Sequence, residues 1–208
     1  MEESRERMAQ ILAVDVVILP PVEISQPAID LNISIENASF NLSTRDYLPH
    51  ITLAMAYIND LSGILGAVEQ VAKKSRQFVV TTGNISYGEM DPSWNGGKYG
   101  SHWKIEKNAD LLNLHRLLVQ NINGVNLPPN ASQSFIGPEQ ASPAAAEYVG
   151  SFKANSSGEN YWPHITLGVG ESGLEQSLRK EFVCDEIILA QLGNFCTVRK
   201  ILGSFKLG

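Results

Sequence analysis

Two short stretches carry the residue types best suited to chemistry. Tyr47-Leu48-Pro49-His50-Ile51-Thr52-Leu53 returns as Tyr161-Trp162-Pro163-His164-Ile165-Thr166-Leu167, with six of the seven positions identical. In an extended strand alternate side chains share a face, so His50 and Thr52 point the same way, about 7 Å apart along the backbone. Ile51 and Leu53 point to the opposite side, and the same holds for His164 and Thr166 over Ile165 and Leu167. A proline before each histidine suits the first residue of a strand, where an N–H is dispensable. Each copy therefore anchors itself with aliphatic groups and presents one imidazole and one hydroxyl. Histidine titrates near neutrality, so one imidazole can accept a proton while the other donates one. In-line displacement at phosphorus needs both, on opposite sides of the phosphate. One group activates the attacking water, the other protonates the leaving oxygen, and the hydroxyls hold the non-bridging oxygens. A lone copy would be an ordinary strand with a satisfied histidine. Recurrence makes His50 and His164 the candidate acid and base, with Thr52 and Thr166 as candidate phosphate ligands.

The elements that must position these residues are legible from periodicity and punctuation. The apolar run 11–19 reads as a buried strand ended by Pro20-Pro21. Ile29, Leu31, Ile33 and Ile35 alternate with polar residues and predict a half-buried strand. The first His-x-Thr strand covers about 50–57. A helix over 60–75 follows, capped by Asn59 or Asp60, with Leu61, Leu65, Val68 and Val71 or Ala72 along one face. Strands are expected at 77–82 and 101–106, separated by a loop spanning 84–100. A second helix at 108–122 carries Leu111, Leu114, Leu118 and Ile122, and ends at Gly124. The segment 125–160 is rich in Pro, Ser, Asn, Gly and Ala, with weak helical character only at 144–152. A connection that long is often a lid or a surface insertion. After the second motif strand, a short helix is expected at 172–181, then strands at 182–190 and 195–206. Strand, helix, strand, strand thus recurs in units at about 47–106 and 161–206. The reading is one bilobal α+β domain over 1–208, with two largely antiparallel sheets, covering helices and a central cleft.

Composition narrows the function further. The 208 residues are 43% hydrophobic and 18% charged, which permits a sizeable core, and the net charge is −6. That balance argues against a broad basic surface for long nucleic acid but leaves room for a nucleotide or short oligonucleotide. Cys184 and Cys196 lack metal-type spacing and read as reduced thiols rather than a disulfide. Six N-x-S sequons, Asn32, Asn84 and Asn155 among them, read as loop Asn and Ser. The N-terminus has no secretory pattern, and the run 11–19, broken by Asp15, is too short to cross a membrane. A cytoplasmic monomer is expected, without membrane partner, metal or cofactor.

The paired His50-Ile51-Thr52-Leu53 and His164-Ile165-Thr166-Leu167 strands resemble the signature of the two-histidine (2H) phosphoesterase superfamily, which includes 2′-5′ RNA ligase-like proteins and cyclic nucleotide phosphodiesterases. The resemblance implies a bilobal fold with the motifs facing across a cleft. It also implies metal-independent hydrolysis of a 2′,3′-cyclic phosphate, or a related 2′-5′ phosphodiester, on a nucleotide or short RNA end. His50 and His164 would be acid and base, and Thr52 and Thr166 would bind the phosphate. RNA end joining, the reverse reaction, and a binding module without turnover are the alternatives.

Other residues are weaker candidates. Tyr47 and Tyr161, three before each histidine, could donate to phosphate or stack on a base. Their odd offset from the histidine favours packing. Trp162, opposite Leu48 in the first copy, could stack on a nucleobase or pack in the core. Arg45, Lys98, Lys104 and Arg199 are candidate phosphate contacts, and His102 and His115 are the remaining histidines. Gly168-Val169-Gly170-Glu171-Ser172-Gly173 matches G-x-G-x-x-G, with Asp185 beyond. Too few residues follow for a dinucleotide fold, so the glycines read as a turn.

Overall fold

The computed structural model describes residues 10–95 and 98–208. Part of the N-terminus expected to lack a secretory pattern, and positions 96 and 97 of the expected loop, fall outside them. The first strand, β1 (Leu12–Ile18), turns at Pro20-Pro21 into helix α1 (Val22–Ile33). Then come β2 (Ile51–Ile58), α2 (Leu61–Lys74), β3 (Phe78–Glu89), the single turn α3 (Pro92–Asn95) and β4 (Tyr99–Ile105). Helices α4 (Ala109–Asn121) and α5 (Pro143–Asn155) precede β5 (His164–Gly170), β6 (Gln176–Ser177), β7 (Glu181–Cys184), β8 (Glu186–Gly193) and β9 (Thr197–Lys206).

The α+β class holds, with every registered strand pair antiparallel. The strands run in the order β6-β3-β4-β5-β2-β1-β8-β9, with β7 attached to β3. Instead of two separate sheets, a five-stranded half (β3 to β7) and a four-stranded half (β1, β2, β8 and β9) join at one point. Between β2 and β5 one pair is registered among the described residues, Ile51 opposite Ile165. The sequence units cross this junction. β2 lies in one half and its hairpin β3–β4 in the other, whereas β5 lies beside β4 and its hairpin β8–β9 beside β1.

One face of the sheet is sealed by α1, α2 and α4 over Ile51, Leu53, Ile165, Leu167 and the fully buried Trp103. Asp60 caps α2 by accepting from the Gly63 N–H at 2.9 Å, and Asn108 caps α4 in the same way from Leu111. Each fully buried aliphatic side chain contributes about 1.5–3 kcal/mol. On the other face α5 covers Ala13, Val17, Met55 and Tyr57. The stretch expected at 144–152 is thus a full helix packed on β2.

Two expected elements are replaced. The strand expected at 29–35 is the end of α1. Ile24, Ala28, Asn32 and Ile35 are buried at helical spacing, whereas Ile33, required inside by the alternating pattern, is 73% exposed. Pro27 within the helix costs one ladder bond and disguised it in the sequence. The helix expected at 172–181 is absent, because β3 and β4 take its backbone instead. Ser177 pairs with Asn84, Thr82 N–H donates to Lys180 O, and Trp103 Nε1 donates to Leu178 O. The expected loop 84–100 is shorter, since β3 and β4 pair out to Glu89 and Tyr99.

The first two glycines of the G-x-G-x-x-G match, expected in a turn, instead serve strand packing. Gly168 and Gly170 lie within β5, where a Cβ would strike Ile35 and, at Gly168, the Asn32 amide. That amide is fully buried and donates to Leu167 O at 2.7 Å and Phe40 O at 3.2 Å, while its oxygen accepts from Leu42 N–H at 2.9 Å. It fixes the back of the second motif strand, and its burial excludes this sequon from modification in the folded chain. No helix among the described residues is long and apolar enough to cross a membrane. Asn32→Ala leaves three buried backbone groups unpaired and is expected to cost about 3 kcal/mol in urea unfolding. A loss below about 1 kcal/mol contradicts this role.

Candidate active site

The Ile51–Ile165 pair decides the geometry of the two motifs. In an antiparallel register through that pair, His50 falls across from Thr166 and Thr52 across from His164, all four on the face opposite the isoleucines. His50, Thr52, His164 and Thr166 line one cavity of about 360 Å³. Its walls are aromatic and apolar, with Phe40, Tyr47, Trp94, Tyr148 and Phe195 prominent. Among the described residues no lysine, arginine, aspartate or glutamate lines it.

Both imidazoles are oriented by the same local device. His50 Nδ1 lies 2.8 Å from Leu48 O, and His164 Nδ1 lies 2.8 Å from Trp162 O. A carbonyl only accepts, so each Nδ1 carries the proton and each Nε2 is left as the free nitrogen of the ring. The intervening Pro49 and Pro163, with φ fixed near about −65°, restrain the carbonyl that each ring uses. Burial pushes the His50 pKa below its usual value, against the pull of Leu48 O. His164 is lowered to about 4 by burial, with Trp162 O opposing and the charge of His50 adding to the fall. On its own the site therefore holds two neutral imidazoles that sense each other.

No protein-family model matches the sequence, and no curated protein matches it. Solved structures do resemble the fold. The TT0787 protein of Thermus thermophilus superposes with a TM-score of 0.59 at 15% identity, covering 94% of this chain and 98% of that one. E. coli LigT complexed with 3′-AMP gives 0.55 at 17% identity, covering 95% and 98%. A structure described as a phosphoesterase gives 0.53 at 13% identity, covering 94% and 98%. The chain therefore shares the fold of LigT and of these related structures.

Within this fold the other candidates separate. Tyr161 is buried, stacks on His115 with ring centroids 3.7 Å apart, and donates its hydroxyl to Thr52 O at 2.8 Å. Its packing thus ties the second motif to the first. Tyr47, at the same motif position, has a left-handed backbone, φ +53°, and stays at the cavity wall. It stacks on Phe40, donates to Glu139 Oε1 at 2.7 Å and lies under Arg199, whose guanidinium carbon is 3.9 Å from the ring centroid. Trp162 sits half-exposed at the cavity wall, 4.3 Å from the His164 ring. His102 joins them, 4.8 Å from His164, with its pKa lowered to about 3 by burial and then by His164. Arg45, Lys98, Lys104 and Arg199 do not line the cavity.

His115 belongs to the scaffold. Its Nδ1 donates to Leu53 O at 2.7 Å and its Nε2 accepts from Gly158 N–H at 3.2 Å, so α4 bridges β2 to the segment before β5. Both thiols are free and buried, and burial raises Cys184 to about 12. No group of three or more His, Cys, Asp or Glu side chains is placed to hold a metal ion among the described residues.

Sequence reasoning missed two features. The aromatic walls come from distant loops without a shared spacing. Asp15, read only as a break in an apolar run, lies buried behind Thr52, with Oδ2 2.6 Å from Thr52 Oγ1. A charged residue inside a central strand was the available signal. His115→Ala removes two hydrogen bonds and a stacked ring, and is expected to cost about 2–4 kcal/mol in urea unfolding. An unchanged unfolding midpoint contradicts the bridging role.

Proposed function

We propose that the protein is a phosphodiesterase that opens a 2′,3′-cyclic phosphate on a nucleotide or short RNA end, with His50 and His164 as its acid–base pair. The observation that carries this reading is the matched pair of imidazoles, each with Nδ1 held by a carbonyl and Nε2 free, lining one cavity. One Nε2 takes a proton from water as the water oxygen bonds to phosphorus. The other Nε2 gives a proton to the ribose oxygen as its bond to phosphorus breaks, so the ring opens to a monophosphate. Thr52 and Thr166 hold the non-bridging oxygens through the transition state.

The electrostatics support the reading. Burial disfavours a charged imidazole before substrate binds, whereas a bound phosphodiester anion favours one. The substrate thus brings the charge that stabilises the proton needed for catalysis. The apolar, aromatic cavity suits a nucleoside carrying one phosphodiester charge. The absence of lysine and arginine from its described lining, with a net charge of −6, favours a small substrate over long RNA and hydrolysis over end joining. The related LigT fold has been solved with 3′-AMP, ATP and phosphate, which supports a nucleotide ligand here.

The test is hydrolysis of nucleoside 2′,3′-cyclic phosphates in the presence of EDTA. His50→Ala and His164→Ala are each expected to lower kcat about 10²–10⁴-fold with the fold retained. Strict dependence on added metal, or full activity in both variants, overturns the proposal.

The pH profile provides a second test. Because both free-site pKa values are depressed, the singly protonated pair is most populated below about pH 6.5, and kcat/KM should peak there. The kcat profile, which reports the complex, should peak at higher pH. A kcat/KM maximum above about pH 7.5 contradicts the depressed pair.

A further inference from the structure

Asp15 is the buried acid that the two-histidine scheme leaves unused. It sits on β1, fully buried, on the sheet face shared with Ala13 and Val17 and behind the first motif strand. Oδ2 lies 2.6 Å from Thr52 Oγ1, and Oδ1 has no hydrogen-bond partner. Thr52 lines the cavity, and Asp15 does not.

The chemistry of this contact depends on a single proton. A threonine hydroxyl has one hydrogen to give. With an ionised Asp15, that hydrogen must point at the carboxylate. Thr52 then offers only lone pairs to a phosphate, and a second negative charge lies one hydroxyl away from the first. With a neutral Asp15, the carboxyl O–H donates to Thr52 Oγ1 and the threonine hydrogen turns into the cavity. We propose that Asp15 is a positioning residue that works as a neutral acid, donating to Thr52 so that the Thr52 hydroxyl donates to the bound phosphate. The inference rests on the phosphodiester reading of the same cavity.

The surroundings favour the neutral acid. Burial drives the Asp15 carboxyl well above its usual range, with Thr52 and the backbone of Ala54 pulling the other way. The titratable groups whose charge is coupled to Asp15 are Tyr161 before β5, Tyr148 on α5 and Cys196 after β8. All three are pushed further towards their neutral forms by burial, and no cation is among the causes acting on Asp15. An unpaired carboxylate oxygen in such a place is costly, and protonation removes the charge. The second half-site is built differently. The β4 residue paired with Thr166 is the imidazole His102.

The test compares the full-length wild type with Asp15→Asn and Asp15→Ala, each also combined with Thr52→Val. The readout is affinity for inorganic phosphate, which does not depend on turnover. An asparagine amide can donate as a neutral carboxyl does, so Asp15→Asn is expected to bind within about threefold of wild type. Asp15→Ala removes the donor that orients the Thr52 hydroxyl and should bind about fivefold to tenfold more weakly, the worth of one neutral hydrogen bond. In the Thr52→Val background Asp15→Ala should add no further loss. Asp15→Asn as weak as Asp15→Ala would show that the carboxylate charge is required and overturn the proposal. So would wild-type affinity in Asp15→Ala. Should Asp15→Ala fail to fold, infrared spectroscopy decides. A protonated-carboxyl C=O band at pH 7, lost in Asp15→Asn, supports the proposal, and its absence from wild type sinks it. Failure of wild type to hydrolyse any cyclic phosphate would count against the phosphodiesterase reading and leave the Asp15 comparison standing.

Discussion

One backbone pairing, Ile51 against Ile165, determines what the rest of the molecule can do. It joins the two halves of the sheet at the residue after each motif histidine. Side-chain alternation then turns two separate strands into a single site, with both imidazoles and both hydroxyls on one face and the aliphatic anchors on the other. The strands share that one registered pair and leave room beside it for a cavity lined by both motifs. Much of the fold braces this junction. Asn32 holds Leu167 from the α1 side, His115 spans Leu53 and Gly158, and Tyr161 reaches Thr52 O. Each brace is a buried polar side chain given to backbone groups, which is an effective way to hold strands that lack a continuous ladder.

Within the site, position and charge are controlled separately. Position is local to each motif, since a carbonyl two residues back orients each ring. Charge is set by the surroundings. Burial keeps His50, His102 and His164 neutral, and the cavity walls offer no fixed cation among the described residues. On the proposed function, such a site would gain its positive charge when an anion enters. The near-symmetry of the motifs does not extend to their neighbours. The first half-site has Asp15 behind it, and the second has His102 and Trp162 beside it.

The motif strands, the cap at Asp60 and the stripes of α2 and α4 were legible because periodicity and capping are local signals. The pairing of the motifs was legible because the repeat itself announced it. What was not legible depended on tertiary competition. Helix α1 alternates like a strand over its last residues and contains Pro27, so only burial of Ala28 and Asn32 against the second half reveals it. The segment 172–181 has helical spacing, yet β3 and β4 claim its carbonyls. Tyr47 and Tyr161 occupy one motif position and do different work, because one meets Arg199 and the other His115. No reading of the motif alone separates them.

The central claim is that the two histidines serve one bound phosphate, and ¹⁵N NMR of the imidazole rings tests it most directly. In the unliganded protein at pH 7, both His50 and His164 should show a protonated Nδ1 and an unprotonated Nε2. Titration with a nucleoside monophosphate should move both Nε2 resonances along one saturation curve. A shift confined to one ring, or two curves with separate affinities, would contradict the account.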